Sequence, residues 1–272
     1  MIIFPDISPE IFSISVFGLS FSVRWYALSY IVGILLAWRM ALVALRRAEL
    51  WPKNLAPMAA RDFEDLLTWM ILGILLGGRL GYVLFYQPAY YLAHPFEIVM
   101  IWTGGMAFHG GLLGVLVAMA VFARQQRIEW GRLMDFVAPL APVGLALGRL
   151  GNFIGQELWG RASDISWAMV FPRDPLALAR HPSQLYQFAL EGCLLFAILM
   201  WFSRRDRPTW AVSAVFLMGY GALRFAAEFF REPDTHIGFD ALGWLTRGQI
   251  LCIPMLIIGA ALFYRAYRPP NP

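Results

Sequence analysis

Long apolar segments alternate with short polar linkers along the whole chain. Seven such segments lie at residues 22–45, 66–86, 104–123, 134–153, 183–202, 210–230 and 248–266. Each comes close to the ~20 residues that an α-helix needs to cross the hydrocarbon core of a bilayer. The pattern therefore predicts an all-α polytopic membrane protein with seven transmembrane helices.

The residues ahead of the first apolar segment follow a different pattern. Polar and apolar side chains alternate around residues 12–21, and a period of two is typical of a β-strand. We therefore expect a short interfacial hairpin before the first span. Asp6 and Glu10 stand where a signal peptide would carry basic residues, so we interpret this start as mature protein.

The charge of the linkers predicts the orientation of the helices. Basic residues concentrate in every second connection and in the tail, at residues 46–61, 124–132, 204–207 and 265–268. Basic loops of membrane proteins are retained in the cytoplasm. This rule places the N-terminus outside and the C-terminus in the cytoplasm.

The connections on the opposite side are less basic and rich in Trp, Tyr and Pro. They lie at residues 87–103, 154–182 and 231–247. The segment 154–182 is long enough to form a small periplasmic head subdomain. We expect this external head segment to belong to a single membrane domain that covers residues 1–272.

Composition excludes a soluble enzyme. Hydrophobic residues make up 59% of the chain and charged residues only 15%, against about 25% charged residues in ordinary soluble domains. The sequence contains no serine nucleophile elbow, no P-loop and no His/Asp cluster for a metal. We expect the membrane, and no nucleic acid, among its partners.

Several arginines do not fit the loop pattern: Arg24, Arg79, Arg149, Arg224 and Arg231. An ionised side chain within a membrane normally faces a cavity or a partner. Arg24 could instead reach the interface with its long side chain. Arg79 lies among Gly77, Gly78 and Gly81, which permit close helix approach; a structural ion pair is the alternative to a functional role there.

Polar residues of the sixth segment share one helix face. Tyr220, Arg224, Glu228 and Arg231 follow at spacings of four, four and three, which places them on one side of a helix. Arg224 and Glu228 could simply pair along the helix. A polar stripe that runs to the outer interface also indicates a wet cavity opening outward.

The stretch "GRLGNFIGQELWGR" at residues 148–161 places Arg149 and Asn152 on one polar face. Arginine binds phosphate in a forked geometry, and asparagine adds further donors. The most abundant anion at this depth is a phospholipid headgroup, so the residues indicate a phospholipid-handling site and leave the reaction open.

The sequence also predicts roles for two further side chains, His109 and Ser183. His109 lies in the glycine-rich run "GGMAFHGGLLG", where it could accept a proton near neutral pH or serve as an ordinary hydrogen-bonding histidine. Ser183 opens the fifth segment after Pro182, and we expect it to be the N-cap of that helix.

Six motifs in this order resemble those of the bacterial prolipoprotein diacylglyceryl transferase family. They are "RWYALSY" (24–30), "GGRLGYVLFY" (77–86), "MAFHGGLLG" (106–114), "GRLGNFIGQELWGR" (148–161), "RHPSQLYQ" (180–187) and "RFAAEFFREPD" (224–234). The similarity spans nearly the whole chain. Gln156 departs from the family, which often has Gly or Asn-Gly in this run.

The resemblance implies a specific reaction. Such enzymes transfer the diacylglyceryl group of phosphatidylglycerol to the lipobox cysteine thiol of a preprolipoprotein signal peptide, and glycerol 1-phosphate leaves. This is the first step of lipoprotein maturation. The family also implies a multi-pass protein of the bacterial inner (cytoplasmic) membrane that uses no metal and no cofactor.

The resemblance also assigns roles to individual residues. It implies a catalytic role for Arg149, Arg224, His109 and Tyr26. It implies substrate binding by Arg79, Asn152, Glu157, Gly160, Tyr220 and Glu228. His109 is the first candidate for a base; Tyr26 or Glu228 could serve instead, and a cationic pocket could need none.

Other functions share parts of this pattern. A secondary transporter for an anionic metabolite would also bury arginines beside glycines, but usually has repeated halves, which this sequence lacks. A lipid-binding factor would need the arginines but not His109. A different phospholipid-using transferase would share the donor and differ in the acceptor.

Overall fold

The computed structural model of the protein describes residues 2–16, 19–51, 55–233, 238–240 and 242–268. Its strands are β1 Ile2–Ile3, β2 Glu10–Val16, β3 Leu19–Arg24, β4 Met169–Val170 and β5 Ala179–Arg180. Its helices are α1 Trp25–Leu45, α2 Ala60–Phe85, α3 Pro88–Ala93, α4 Phe108–Gln125, α5 Trp130–Val137, α6 Ala141–Ile154, α7 Ser183–Gln187, α8 Leu195–Phe202, α9 Ala211–Glu228 and α10 Arg247–Tyr267. Short 3₁₀ turns cover Ala48–Leu50, Pro95–Val99, Ile101–Thr103 and Ala138–Leu140.

Within the described residues, seven helices are long and apolar enough to span a membrane, which confirms the predicted number. They are Trp25–Leu45, Ala60–Phe85, Phe108–Gln125, Trp130–Ile154, Ser183–Phe202, Ala211–Glu228 and Arg247–Tyr267. The fourth joins α5 to α6 through a 3₁₀ turn, and the fifth joins α7 to α8 through a π-helical segment, Phe188–Leu194.

The second span begins six residues before its predicted start. The extra residues, 60–65, include four charged side chains, so hydropathy alone does not mark them as part of the helix. The side chain of Asp62 accepts a hydrogen bond from the Ala59 backbone N–H at 3.1 Å. Such a contact stabilises a helix start that lies outside the apolar part of the span.

The chain forms two compact units. The larger comprises Met1–Ala41 and Asp135–Pro272, and the smaller comprises Leu42–Met134. The expectation of a single membrane domain over residues 1–272 stays a prediction.

In the smaller unit, α2 and α4 approach each other through glycines, as the sequence predicts. A Cβ atom on Gly77 would collide with the Gly110 carbonyl oxygen, and one on Gly114 would collide with the Gly73 carbonyl oxygen. The Ala107 backbone N–H donates to the Gly78 carbonyl at 2.9 Å, just before α4 begins. Close backbone approach of this kind is how small residues let membrane helices associate.

In the larger unit, Asp135 fixes the start of α9. Its carboxylate accepts hydrogen bonds from the backbone N–H groups of Trp210 at 2.6 Å and Ser213 at 2.7 Å. The Ser213 hydroxyl donates to it as well, at 2.6 Å. These bonds satisfy donors that a helix N-terminus otherwise leaves without partners. Nearby, Leu195 and Leu199 form an apolar cluster with Val212.

The predicted N-terminal hairpin is present. Strands β2 and β3 pair antiparallel, and Arg24 at the end of β3 lies 3.6 Å from the half-exposed carboxylate of Glu10. Upstream, β1 pairs parallel with β4, and β4 pairs antiparallel with β5. The chain start therefore joins the 154–182 segment in one small sheet, a pairing that no local pattern predicted.

Candidate functional site

A fully buried carboxylate in the larger unit connects two of the predicted arginines. Glu191, in the π-helical segment of the fifth span, accepts a hydrogen bond from Arg149 Nη2 at 3.3 Å. Its other oxygen accepts from Arg224 Nη1, also at 3.3 Å. The Glu191 side chain is 0% exposed, whereas those of Arg149 and Arg224 are 18% and 11% exposed. Both cations therefore keep an accessible edge.

A second carboxylate, Glu228, extends this chain of charges toward the end of α9. Arg224 Nη2 lies 2.8 Å from Glu228 Oε2, and Arg231 Nη1 lies 3.6 Å from Glu228 Oε1. The Thr246 hydroxyl donates to Glu228 Oε1 at 3.1 Å. The pairing along α9 that the sequence left open is thus present, and it is part of a larger network.

Among the side chains named so far, three arginines face two glutamates. Guanidinium has five N–H donors, and for Arg149 one of them contacts Glu191. Burial strengthens the attraction between these groups and an incoming anion. The arrangement can therefore offer several N–H donors to an anionic phosphodiester.

Tyr26 and Asn152 belong to the same unit as Arg149, and Asn152 follows it by three residues on α6. The α1 backbone at Tyr26 approaches α6 so closely that a Cβ atom on Gly151 would lie 3.3 Å from the Tyr26 Cα. Asn152 is buried, and Tyr26 is exposed, with its hydroxyl 2.9 Å from that of Tyr30. Gly151 thus brings the predicted residues of two helices to one place.

Tyr220 lies one turn before Arg224 on α9, as predicted. It is half-buried and packs against the apolar cluster around Leu195. Its ring stacks with that of Phe216 at a centroid distance of 5.9 Å. These contacts give it a packing role beside the arginines.

The chain leaves α6 through two residues in the left-handed region. Gln156 has φ 54° and Leu158 has φ 56°, a conformation that favours Gly or Asn over other residues. Gln156 is nevertheless held there, because its side-chain oxygen accepts from the Arg173 backbone N–H at 3.0 Å. The Glu157 carboxylate is exposed, and its backbone carbonyl accepts from Gln184 Nε2 at 2.7 Å.

Gly160 lies between the backbone of His181 in the head and that of Phe230 just after α9. Its N–H donates to the His181 carbonyl at 2.9 Å. A Cβ atom at this position would lie 2.5 Å from the carbonyl oxygens of both His181 and Phe230. The position therefore requires glycine for packing. This packing explains the glycine near the end of "GRLGNFIGQELWGR" without a direct ligand contact.

A buried ion pair holds the head together. Arg180 Nε donates to Asp174 Oδ2 at 2.6 Å, and Arg180 Nη1 donates to the Gly160 carbonyl at 3.3 Å. The Arg180 guanidinium holds the pKa of Asp174 below its ordinary value. Burial lowers the pKa of the neighbouring His181, whose Nδ1 lies 3.1 Å from the Tyr186 hydroxyl.

The smaller unit contains the other two predicted site residues, Arg79 and His109. Arg79 is buried and donates to the backbone carbonyls of Glu97, Ile98, Gly104 and Gly105. Its bonds go to main-chain oxygens and favour a structural role, different from both the ion pair and the lipid contact considered from the sequence. His109 is exposed in the first turn of α4.

Comparison with known proteins identifies the family. The family model for prolipoprotein diacylglyceryl transferase matches residues 13–265. The chain belongs to the prolipoprotein diacylglyceryl transferase family. It is 52% identical to the phosphatidylglycerol–prolipoprotein diacylglyceryl transferase of Ruegeria pomeroyi, over 98% of each chain. It is 51% identical to the enzyme of the same name from Bordetella parapertussis, over 100% of each chain.

Sequence reasoning missed Glu191 in this transferase. One signal was available, because Glu191 is the only charged residue among residues 183–202, and a charge inside a span needs a partner. Thr246 was missed as well. It lies at the N-cap of α10, and nothing in the local sequence relates it to Glu228.

The prediction for Ser183 was wrong. Pro182 occupies the N-cap position of α7, and no side chain caps that helix. The Ser183 hydroxyl is fully buried and donates to the Leu158 carbonyl at 2.9 Å. Because this hydroxyl bonds to a carbonyl far away in the sequence and not to its own helix, Ser183 connects the fifth span to the transferase head.

Proposed function

We propose that this protein transfers the diacylglyceryl group of phosphatidylglycerol to the lipobox cysteine thiol of a preprolipoprotein, with release of glycerol 1-phosphate. Membership of the transferase family and the names of relatives that match the chain over nearly its full length support this reaction. The observation that carries the proposal is the pair of partly exposed arginines, Arg149 and Arg224, on one buried carboxylate.

The chemistry requires what these arginines supply. The cysteine sulfur attacks the carbon of the diacylglyceryl group that is bonded to the phosphate oxygen. The bond between this carbon and the oxygen breaks, and its electron pair goes to the oxygen. Arg149 and Arg224 bind the phosphodiester and then stabilise the charge that grows on the leaving oxygen. Removal of one such donor costs about 10²–10³ in rate in comparable sites. Cations nearby also favour the thiolate over the thiol.

The acceptor of the thiol proton is a separate part of the proposal. We assign it to His109, because imidazole accepts protons near neutral pH and the side chain is exposed at the start of α4. Tyr26, Glu228 or no dedicated base are the alternatives. His109→Gln and His109→Asn decide it: turnover close to normal in either variant removes His109 as the base.

We also propose the orientation predicted from the linker charges, in the bacterial inner membrane. The N-terminal sheet and the 154–182 head then face the periplasm, where a lipobox cysteine at the outer end of a signal-peptide helix would lie. Glu129, in a linker proposed to be cytoplasmic, and Asp164, in the head proposed to be periplasmic, are both exposed. The variants Asp164→Cys and Glu129→Cys, each with serine in place of Cys193 and Cys252, are treated in spheroplasts with a thiol reagent that cannot cross the membrane. The reagent should label Asp164→Cys and leave Glu129→Cys unlabelled.

The experiment that tests the reaction is transfer in detergent micelles. Purified protein receives phosphatidylglycerol and either a lipobox peptide or its Cys→Ser form, and glycerol phosphate release and peptide mass are followed together. We expect release that requires the thiol, and a loss of about 10²-fold or more in Arg149→Ala and Arg224→Ala. Arg124→Ala, in the exposed end of α4, is the matched control.

The alternative functions give different results. No release from folded protein that still binds phosphatidylglycerol would contradict the transferase proposal and favour a lipid-binding factor. Uptake of a soluble anion into proteoliposomes would favour a secondary transporter. Release with another acceptor and none with the peptide would point to a different phospholipid-using transferase.

A further inference from the structure

Glu191 occupies an unusual position for a carboxylate. It is fully buried in a segment that is otherwise free of charge. A buried charge is expensive unless it is paired and hydrogen-bonded. Here each carboxylate oxygen accepts from a different arginine at the same distance, 3.3 Å. Glu191 therefore bridges α6 and α9, which otherwise carry these cations separately.

The backbone around Glu191 is built to hold it between those helices. It lies in the π-helical segment Phe188–Leu194, and π-helical turns occur frequently at functional sites. A Cβ atom on Gly192 would lie 2.6 Å from the Ala146 Cβ of α6, and one on Gly219 of α9 would lie 2.7 Å from Leu195 Cδ1. The segment that carries Glu191 is therefore packed closely against both α6 and α9.

The bridge has two consequences for the arginines. Two guanidinium groups that converge on one phosphate repel each other, and the intervening carboxylate offsets this repulsion in a medium of low dielectric constant. Each arginine gives one N–H to Glu191. Arg224 also pairs with Glu228 through Nη2, and the remaining donors of both side chains are left for a ligand. Glu191 thus fixes the directions of the remaining donors.

The charge of Glu191 also affects the two anions of the reaction differently. The phosphodiester of the lipid carries one negative charge, whereas a phosphate monoester carries about 1.5 to 2 at neutral pH. Replacement of Glu191 by a neutral residue would make the charge around Arg149 and Arg224 more positive by one unit. Loss of Glu191 would therefore strengthen the binding of the released monoester more than that of the lipid.

We propose that Glu191 is a positioning residue for the transfer reaction: it orients Arg149 and Arg224 and weakens their hold on the phosphate monoester product. The inference rests on the proposed function. It predicts that product release, as well as the chemical step, depends on a carboxylate that touches neither substrate.

The test compares Glu191→Gln and Glu191→Asp with the wild-type protein. The readouts are kcat, KM for phosphatidylglycerol and the inhibition constant of added glycerol 1-phosphate. We expect Glu191→Gln to lower kcat by about 10- to 100-fold and to tighten the inhibition constant by about tenfold. Glu191→Asp keeps the charge, so its inhibition constant should stay near that of the wild type while kcat falls.

Gln187→Leu is the matched control. Gln187 lies one turn earlier in the same span, is equally buried, and its side chain has no hydrogen-bond partner within the described part of the chain. This variant should retain both kcat and the inhibition constant within about twofold. A thermal unfolding midpoint for each purified variant identifies any that fails to fold.

Several outcomes would overturn the inference. An unchanged kcat in folded Glu191→Gln contradicts a positioning role. A lower kcat with unchanged or weaker product inhibition indicates that Glu191 only supports the fold. If the wild-type protein shows no transfer at all, the proposed function fails instead; calorimetric binding of glycerol 1-phosphate to wild type and Glu191→Gln then still tests the effect of the charge, and equal affinities reject it.

Discussion

The carboxylate of Glu228 lies in the space that a side chain at Gly248 would need. A Cβ atom on Gly248 would be 2.7 Å from Glu228 Oε1 and 2.8 Å from its Cδ. Gly248 is the second residue of α10, so the carboxylate lies at the positive end of a helix dipole, where an anion is stabilised. Glycine at this position thus lets α9 and α10 share one charged contact.

Gly248→Ala should therefore reduce transfer activity without removing any polar group. The added methyl group displaces Glu228, and Arg224 moves with it because the two are paired at 2.8 Å. We expect kcat to fall by about 10- to 100-fold, since small misplacements of this kind are costly. Gly144→Ala is the control, because a Cβ atom at that helical glycine meets no atom within 4 Å; equal activity of the two variants would contradict the prediction.

Gly160→Ala should disrupt the packing of the head. Any loss of ligand binding should follow from this disruption and not from a lost contact with the ligand. The methyl group would meet two backbone carbonyls, of His181 and Phe230, that cannot move independently of the head. We expect a lower thermal unfolding midpoint and a loss of activity together. Ala162→Ser, at an exposed position two residues away, should change neither. A fully stable but inactive Gly160→Ala protein would instead support a direct role in the site.

The stability of the head should fall in two steps as the pH is lowered. The folded-state pKa of His181 is depressed by burial, so the unfolded chain takes up its proton first and stability declines below a pH of about 6.5. The folded-state pKa of Asp174 is depressed by Arg180, so its contribution is present above a pH of about 4 and is lost below it. Thermal unfolding midpoints across this pH range measure both steps.

Each step has its own control variant. His181→Gln should remove the decline that begins near pH 6.5, and Asp174→Asn should lower stability at neutral pH and flatten the decline below about pH 4. A pH profile of His181→Gln that matches the wild type would show that the first step belongs to another group.

Asp135→Asn should destabilise the start of α9. The two carboxylate oxygens accept three hydrogen bonds from Trp210 and Ser213, and the amide of asparagine offers one oxygen and would direct its NH₂ group at a donor. We expect a loss of about 1–3 kcal/mol in the free energy of unfolding. Asp206→Asn is the control, because Asp206 is exposed and lies in the linker just before α9. Equal denaturant midpoints for the two variants would contradict this account.

The helical part of the fold could be predicted from the sequence because its signal is local. A run of apolar residues long enough to cross a bilayer has few alternatives to a helix, since every backbone polar group must be satisfied within the span. Six spans begin within about four residues of their predicted starts. The second did not, because hydropathy says nothing about a helix that continues into water.

The candidate site was predictable only in part. Arg149 and Arg224 stand out as charges within apolar segments, and both lie in the network. Arg79 stands out in the same way, yet its bonds go to backbone carbonyls. A charge in a span indicates that a partner exists, but it does not identify the partner, because that depends on which helices are neighbours.

The sequence by itself determined the number of spans, the family motifs and the residue types available for binding phosphate, since these follow from local composition and spacing. Only the tertiary structure decided that Glu191 lies between Arg149 and Arg224, that Gly248 makes room for Glu228, and that the chain start pairs with β4 in the head. The physical reason is distance along the chain. Contacts between residues far apart in sequence arise from the packing of whole helices and strands, which no single segment encodes.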